Sequence, residues 1–325
     1  MISIDKKMLR AMSMMGSRNV YGLACMDIAE KNDKIIAITA DMCIFSGLER
    51  FTKSYEDKFL NIGIAEQNLI GVAAGLSKEG FNVFASTYAA FATDRALDQI
   101  KVNMSYMKLP IKLVGVASGF AAGHFGATHM SIDDIAVTRG MPNLVILSPG
   151  DCLETYKCVM AASKINQPVY IRLTGGMYSP MVYSEDYSYE IGKAIYLNRG
   201  SDITIIATGS MVSVSQKVVS LLKDDGINCT LVNMHTIKPL DVDVIREVEE
   251  SSKLVVTIEE HSIIGGLGSA VAEVLSQNAK TKLIRIGVDD YYPPAGDYNY
   301  QLDCVGLTQE KIYIKIKENI NSVYP

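Results

Sequence analysis

The chain has no tryptophan, no CxxC pair, no long basic cluster and no apolar run of membrane-spanning length, and only four of its 325 residues are histidine. Each shortage closes a class. Six cysteines, at 25, 43, 152, 158, 229 and 304, lie scattered. That fits reduced thiols in a cytosolic protein better than a disulfide frame or a zinc site. A net charge of -5 without a basic stripe argues against a nucleic-acid surface. No stretch is long and apolar enough to span a bilayer, and no apolar segment follows Lys6 and Lys7 to make a signal peptide. Cytoplasm is the expected compartment.

What is present is core-forming material: 48% of residues are hydrophobic, in a chain long enough for two domains. Short β-rich runs at Lys34–Thr39, Asn82–Ala85, Ile111–Val116, Leu144–Ser148 and Val169–Leu173 alternate with helical stretches at Val20–Lys31, Glu66–Glu79, Ala89–Met107, Ile132–Arg139 and Cys152–Lys164. Such alternation predicts a mainly parallel sheet covered on both faces. A tyrosine-rich polar stretch, Gly175–Tyr189, has little periodicity and reads as a connection. Beyond it the alternation resumes, with strands at Ile203–Thr208, Cys229–Asn233, Leu254–Glu259 and Lys282–Gly287 and helices at Val212–Asp224, Asp241–Ser251 and Leu267–Gln277. The expected fold class is α/β, two tandem three-layer domains. An extension covers 1–18, the first domain 19–175, a linker 176–191 and the second domain 192–325.

The run NIGIAEQNLIGVAAGLSKEG, Asn61–Gly80, sets one carboxylate, Glu66, where an extended apolar segment turns into a helix. Apolar neighbours would strip its solvation and suit it to sharing a proton with a ring nitrogen. A helix-start glutamate that favours the helix dipole reads equally well from this segment alone. Two histidines, His124 and His129, share the glycine-rich loop GFAAGHFGATHMSIDD, of the kind that binds ligands at the carboxyl ends of parallel strands. Their spacing puts them on no common helical face and no third ligand accompanies them, so hydrogen bonding to a polar substrate suits them better than metal. HSIIGGLGSA, His261–Ala270, imitates a dinucleotide loop. Val271 stands where close helix packing needs a small residue, which leaves an anion or a partner's loop as the expected occupant of that helix start.

Together GIAEQNLIGVAAGLSKEG, STYAAFATDRALDQIK, GATH, MPNLVILSPGD and EEHSIIGGLGSA stand in the order seen in transketolase-like enzymes that use thiamine diphosphate. Nearly the whole chain resembles the pyrimidine-binding and C-terminal domains of transketolase, at the length of the separate C-terminal subunit of split bacterial transketolases. The GDG motif of the family's other half, with its asparagine for Mg²⁺ and diphosphate, occurs nowhere in the sequence. The resemblance implies that Glu66 hydrogen-bonds the aminopyrimidine N1′, that Phe91 stacks on that ring, and that Tyr88, Ile64 and Asp41 lie near the cofactor. It implies that His129 contacts the sugar donor and that Arg18 and Arg172 hold the sugar phosphate. His124 is expected on the substrate side. Phe125 replaces the aspartate that precedes the family's GPTH motif, and Ala117 falls near a missing phosphate-side histidine.

The implied activity is transfer of a two-carbon ketol unit from a ketose phosphate to an aldose phosphate. The implied assembly is two copies each of this chain and of an N-terminal subunit carrying diphosphate and Mg²⁺. The β subunit of a 2-oxo acid dehydrogenase and a non-catalytic assembly subunit are the alternatives.

Overall fold

The computed structural model describes residue 2, residues 4–174 and residues 179–320. Twelve strands are β1 (Ile35–Thr39), β2 (Phe59–Asn61), β3 (Asn82–Tyr88), β4 (Lys112–Ser118), β5 (Val145–Leu147), β6 (Val169–Thr174), β7 (Ile195–Asn198), β8 (Ile203–Ala207), β9 (Cys229–Asn233), β10 (Thr236–Lys238), β11 (Leu254–Ser262) and β12 (Lys282–Val288). They form a seven-stranded sheet in the order β10-β5-β6-β4-β3-β1-β2 and a five-stranded sheet in the order β12-β11-β8-β9-β7. All neighbours run parallel except β10 on β5 and β7 on β9. The α/β architecture read from the sequence is therefore the one observed.

Side-chain alternation shows why the first sheet carries helices on both faces. Along β1, Ile36 and Ile38 pack into one core with Leu69, Ile70 and Ala73 of the Glu66–Lys78 helix. Ile35 and Ala37 pack into another with Val20, Tyr21 and Ala24 of the Ser17–Ala29 helix and with Val159 of the Cys152–Ala162 helix. Each large aliphatic side chain so buried contributes about 1.5–3 kcal/mol. The first of these cores continues into the second unit through Ile206, Val232 and Val255. β10, from the second unit, closes the edge of the first sheet.

The structure departs from the pattern in particular places. The single helix predicted over Ala89–Met107 is broken into a π-helical turn Phe91–Arg95, a short α-turn Leu97–Gln99 and a π-helical stretch Ile100–Tyr106. An inserted residue widens a helix this way, most often beside a functional site. Three short strands, β2, β7 and β10, and the helices Lys6–Met15, Tyr298–Cys304 and Gln309–Ile320 were not anticipated. The connection predicted at Gly175–Tyr189 falls partly outside the described residues, at 175–178. No helix among the described residues is long and apolar enough to cross a membrane.

The expected anion position at the Leu267–Leu275 helix start belongs to the chain itself. Leu267 and Gly268 donate their backbone N–H groups to the Glu259 carboxylate at 2.6 and 2.7 Å. Burial raises the Glu259 pKa to about 7 despite these two bonds. A Cβ on Gly266 would stand 2.1 Å from Glu259 Oε2, so glycine is what lets the carboxylate cap the helix.

Candidate functional site

Strands β1, β2, β3 and β4 are neighbours, and the candidate residues follow their carboxyl ends, where open parallel sheets bind ligands. Asp41, two residues beyond β1, has φ 58°, a left-handed conformation that aspartate tolerates. A reciprocal pair holds it: Asp41 N–H donates to Asn61 Oδ1 at 2.9 Å and Asn61 Nδ2 donates to Asp41 Oδ1 at 3.0 Å. Asn61 Oδ1 also accepts from Gly63 N at 3.1 Å, fixing the bend that leads to Glu66. Ile64, on that bend, is 76% exposed. An aliphatic side chain so placed has no packing role within this chain.

Glu66 opens its helix and is 2% exposed. Arg95 Nη1 donates to Glu66 Oε2 at 2.8 Å, and among the described residues Oε1 accepts no hydrogen bond. The same guanidinium lies over the Phe91 ring, 4.2 Å from its centroid. The pattern of apolar neighbours did not reveal this cation. Its signal was the four-residue spacing of Phe91 and Arg95 within the FATDR segment.

Phe91, Tyr88 and His129 form one aromatic cluster. His129 lies 5.0 Å from Phe91 and 5.5 Å from Tyr88, and those two lie 5.8 Å apart, all edge-on. Phe125 adds a ring 4.8 Å from His129 and 3.9 Å from His124. Partial burial lowers the His129 pKa, and the positive charges of His124 and Arg95 lower it further. Thr128 Oγ1 lies 3.0 Å from His129 Nδ1. Burial raises the Tyr88 pKa, opposed by Arg18.

Arg18, Tyr88, His124, Phe45 and Ala117 line a cavity of about 260 Å³. Arg18 enters it from the first turn of the Ser17–Ala29 helix, where the dipole disfavours a cation, so a ligand charge would be welcome there. Phe45, half-exposed and 6.4 Å from Tyr88, was not anticipated. Asp94 is the neighbouring acid. Burial, followed by Asp133 and Asp134, raises its pKa to about 6.

Arg172 corrects the sequence reading. It is 1% exposed, its Nε donates to Asp134 Oδ2 at 2.8 Å, and its Nη2 donates to the carbonyls of Ser131 and Glu260 at 3.2 and 2.8 Å. Tyr170 hydroxyl donates to the same Asp134 carboxylate at 2.7 Å. The guanidinium is committed to a buried junction between the two units and is closed to a sugar phosphate. Neutral His261 sits beside it: burial lowers its pKa to about 4, its Nδ1 lies 2.7 Å from the Ser262 carbonyl, and Ala136 N–H donates to its Nε2 at 3.3 Å. No three-residue group of His, Cys, Asp or Glu among the described residues could hold a metal ion.

Two parallel α/β units with these residues gathered at one mouth have the architecture of the pyrimidine and C-terminal domains of thiamine-diphosphate enzymes. Residues 13–180 match the transketolase pyrimidine binding domain and residues 192–312 the transketolase C-terminal domain. One of the two chains of an apulose-4-phosphate transketolase from Phocaeicola vulgatus is 37% identical over 93% of this chain and 96% of its own. A 6-deoxy-6-sulfo-D-fructose transketolase subunit of a Clostridium species is 36% identical over 91% of each chain. A solved split gene transketolase, an inactive β4 tetramer, has a TM-score of 0.84 at 38% identity, over 93% of this chain and 97% of that one. The chain belongs to the transketolase family, whose enzymes depend on thiamine diphosphate.

Proposed function

We propose that this chain is the C-terminal subunit of a heteromeric transketolase that moves a two-carbon ketol unit from a ketose phosphate to an aldose phosphate. The observation that carries the reading is Glu66. It is a nearly inaccessible carboxylate with one oxygen committed to Arg95 and one open, beside the aromatic group of Phe91, Tyr88 and His129. An acceptor oxygen next to a stacking ring fits a protonatable aminopyrimidine.

Bound thiamine diphosphate supplies a carbanion nucleophile at its thiazolium C2. The chain's own part is narrower. Glu66 Oε1 takes and returns a proton at the pyrimidine N1′, and Phe91 supports the ring. Ile64 and Tyr88 cover its apolar edges, and Asp41 borders the pocket. His129, kept neutral by partial burial and by neighbouring cations, can donate or accept a hydrogen bond at the sugar's reacting carbons. Arg18 and His124 receive the substrate phosphate at the cavity they line, the role that Arg172 cannot serve.

The diphosphate and Mg²⁺ belong to an N-terminal partner subunit, in keeping with the missing GDG, and two copies of each chain complete the cytoplasmic enzyme. The proposed units are a pyrimidine-binding domain over 19–175 and a C-terminal domain over 192–325, joined by 176–191. Phe125, 53% exposed, makes the donor wall apolar where the family has an aspartate. Relatives that carry transketolase names across nine-tenths of both chains favour this reading over the dehydrogenase β subunit.

The test mixes the chain and its partner subunit with thiamine diphosphate, Mg²⁺, ribose 5-phosphate and a panel of ketose phosphates that includes xylulose 5-phosphate. Ketol transfer is expected from the pair and not from either chain alone. A reconstituted pair inert toward every donor would overturn the proposal.

A further inference from the structure

We infer that Arg95 is a positioning residue that orients the Glu66 carboxylate toward the cofactor ring and confers recognition of its N1′ nitrogen. This rests on the reading of Glu66 given above and adds a residue to it. Three observations converge. Arg95 Nη1 binds one carboxylate oxygen at 2.8 Å and leaves Oε1 without a protein donor among the described residues. The guanidinium is itself immobilised against Phe91, 4.2 Å from the ring centroid, so one planar group fixes both the stacking ring and the acceptor. Finally, the backbone at this point is a π-helical turn spanning Phe91–Arg95, which places the two side chains together beside the start of the Glu66 helix.

The alternative of an incidental surface ion pair fits poorly. Glu66 is 3% exposed at its side chain whereas Arg95 is 45% exposed, so the arginine reaches inward to a carboxylate that solvent barely touches. Asp94 and Asp98 lie closer along the chain, yet the guanidinium pairs with neither among the described residues. A carboxylate held at one oxygen has one rotamer and one free acceptor direction. Without that hold, the same carboxylate can rotate, and its bond to N1′ loses geometry.

The experiment compares thiamine diphosphate with its analogue in which N1′ is replaced by CH. Both are titrated calorimetrically into the complex of this chain with its partner subunit. Wild type is expected to prefer the natural cofactor by ~10-fold or more, the worth of a charge-assisted hydrogen bond. Arg95→Ala and Arg95→Gln should cut that preference to about threefold or less, and Arg95→Lys, which keeps the charge but not the planar fork, should retain part of it. A purely structural arginine would weaken both ligands alike. Full N1′ preference in Arg95→Ala or Arg95→Gln would therefore overturn the inference. Glu66→Ala separates the two levels: its loss of preference upholds the Glu66 reading whatever Arg95 does, and its retention of preference would overturn that reading itself.

Discussion

Replacing Arg172 discriminates sharply between a substrate-binding arginine and a structural one. In the structure Asp134 is fully buried, and its carboxylate depends on Arg172 Nε at 2.8 and 3.0 Å and on the Tyr170 hydroxyl at 2.7 Å. Arg172→Met removes the cation and strands the anion. Breaking a buried pair from one side costs about 3–5 kcal/mol, far more than the loss of a surface pair. For a chain of this length, about 2 °C per kcal/mol converts that to a fall of roughly 6–10 °C in the thermal midpoint. Circular dichroism melts at neutral pH read this directly. The double variant Asp134→Leu with Arg172→Met removes both charges, and should recover at least half of the loss. If Arg172→Met melted with wild type and instead raised the KM for sugar phosphates, the buried-pair argument would be refuted and the phosphate role restored.

The pH dependence of stability carries a second expectation. His261 has a folded pKa of about 4, depressed by burial, against about 6.5 unfolded, so the unfolded chain binds the extra proton between those values. Its contribution is intact above pH ~6.5 and is lost as pH falls toward 4. Urea unfolding of His261→Gln across this window should show a shallower slope than wild type. Gly266→Ala should destabilise by about 1–3 kcal/mol, because its Cβ meets Glu259 Oε2 at 2.1 Å and disturbs the carboxylate that caps the following helix. Denaturant midpoints check it. Phe125→Asp should raise kcat/KM for donors bearing a hydroxyl at the contacted carbon, by about tenfold, since a polar acceptor replaces an apolar wall. Steady-state kinetics of the reconstituted pair would show a rise if the wall faces the donor, and no change if it does not.

The sheet strands were readable because each is short, buried on both faces and bounded by turn residues, as Ile35–Thr39 illustrates. β10 was not, since three residues, Thr236–Lys238, carry no periodicity, and their place is fixed only by pairing with β5 of the other unit. The break in the Ala89–Met107 helix was hidden because apolar spacing barely distinguishes an α-turn from a π-turn. Glu66, Phe91, Tyr88 and His129 were legible as separate residues from local segments and the family resemblance, and their meeting at one mouth is what three dimensions added. Arg172 misled for a physical reason: the anion that neutralises it, Asp134, is 38 positions away in sequence. Arg95 went unread in the same way, its carboxylate partner lying 29 positions upstream.

The central claim is that Glu66 handles a proton at N1′ and thereby controls the cofactor's acidity, whatever sugar the enzyme takes. Exchange of the thiazolium C2 proton with deuterium, followed by quenched-flow NMR in the complex of this chain with its partner and thiamine diphosphate, measures that control without any substrate. Glu66→Ala is expected to slow exchange by about 10²–10⁴-fold, the usual worth of a positioned acid-base group, while the complex still binds cofactor. Exchange at the wild-type rate in cofactor-loaded Glu66→Ala would contradict it.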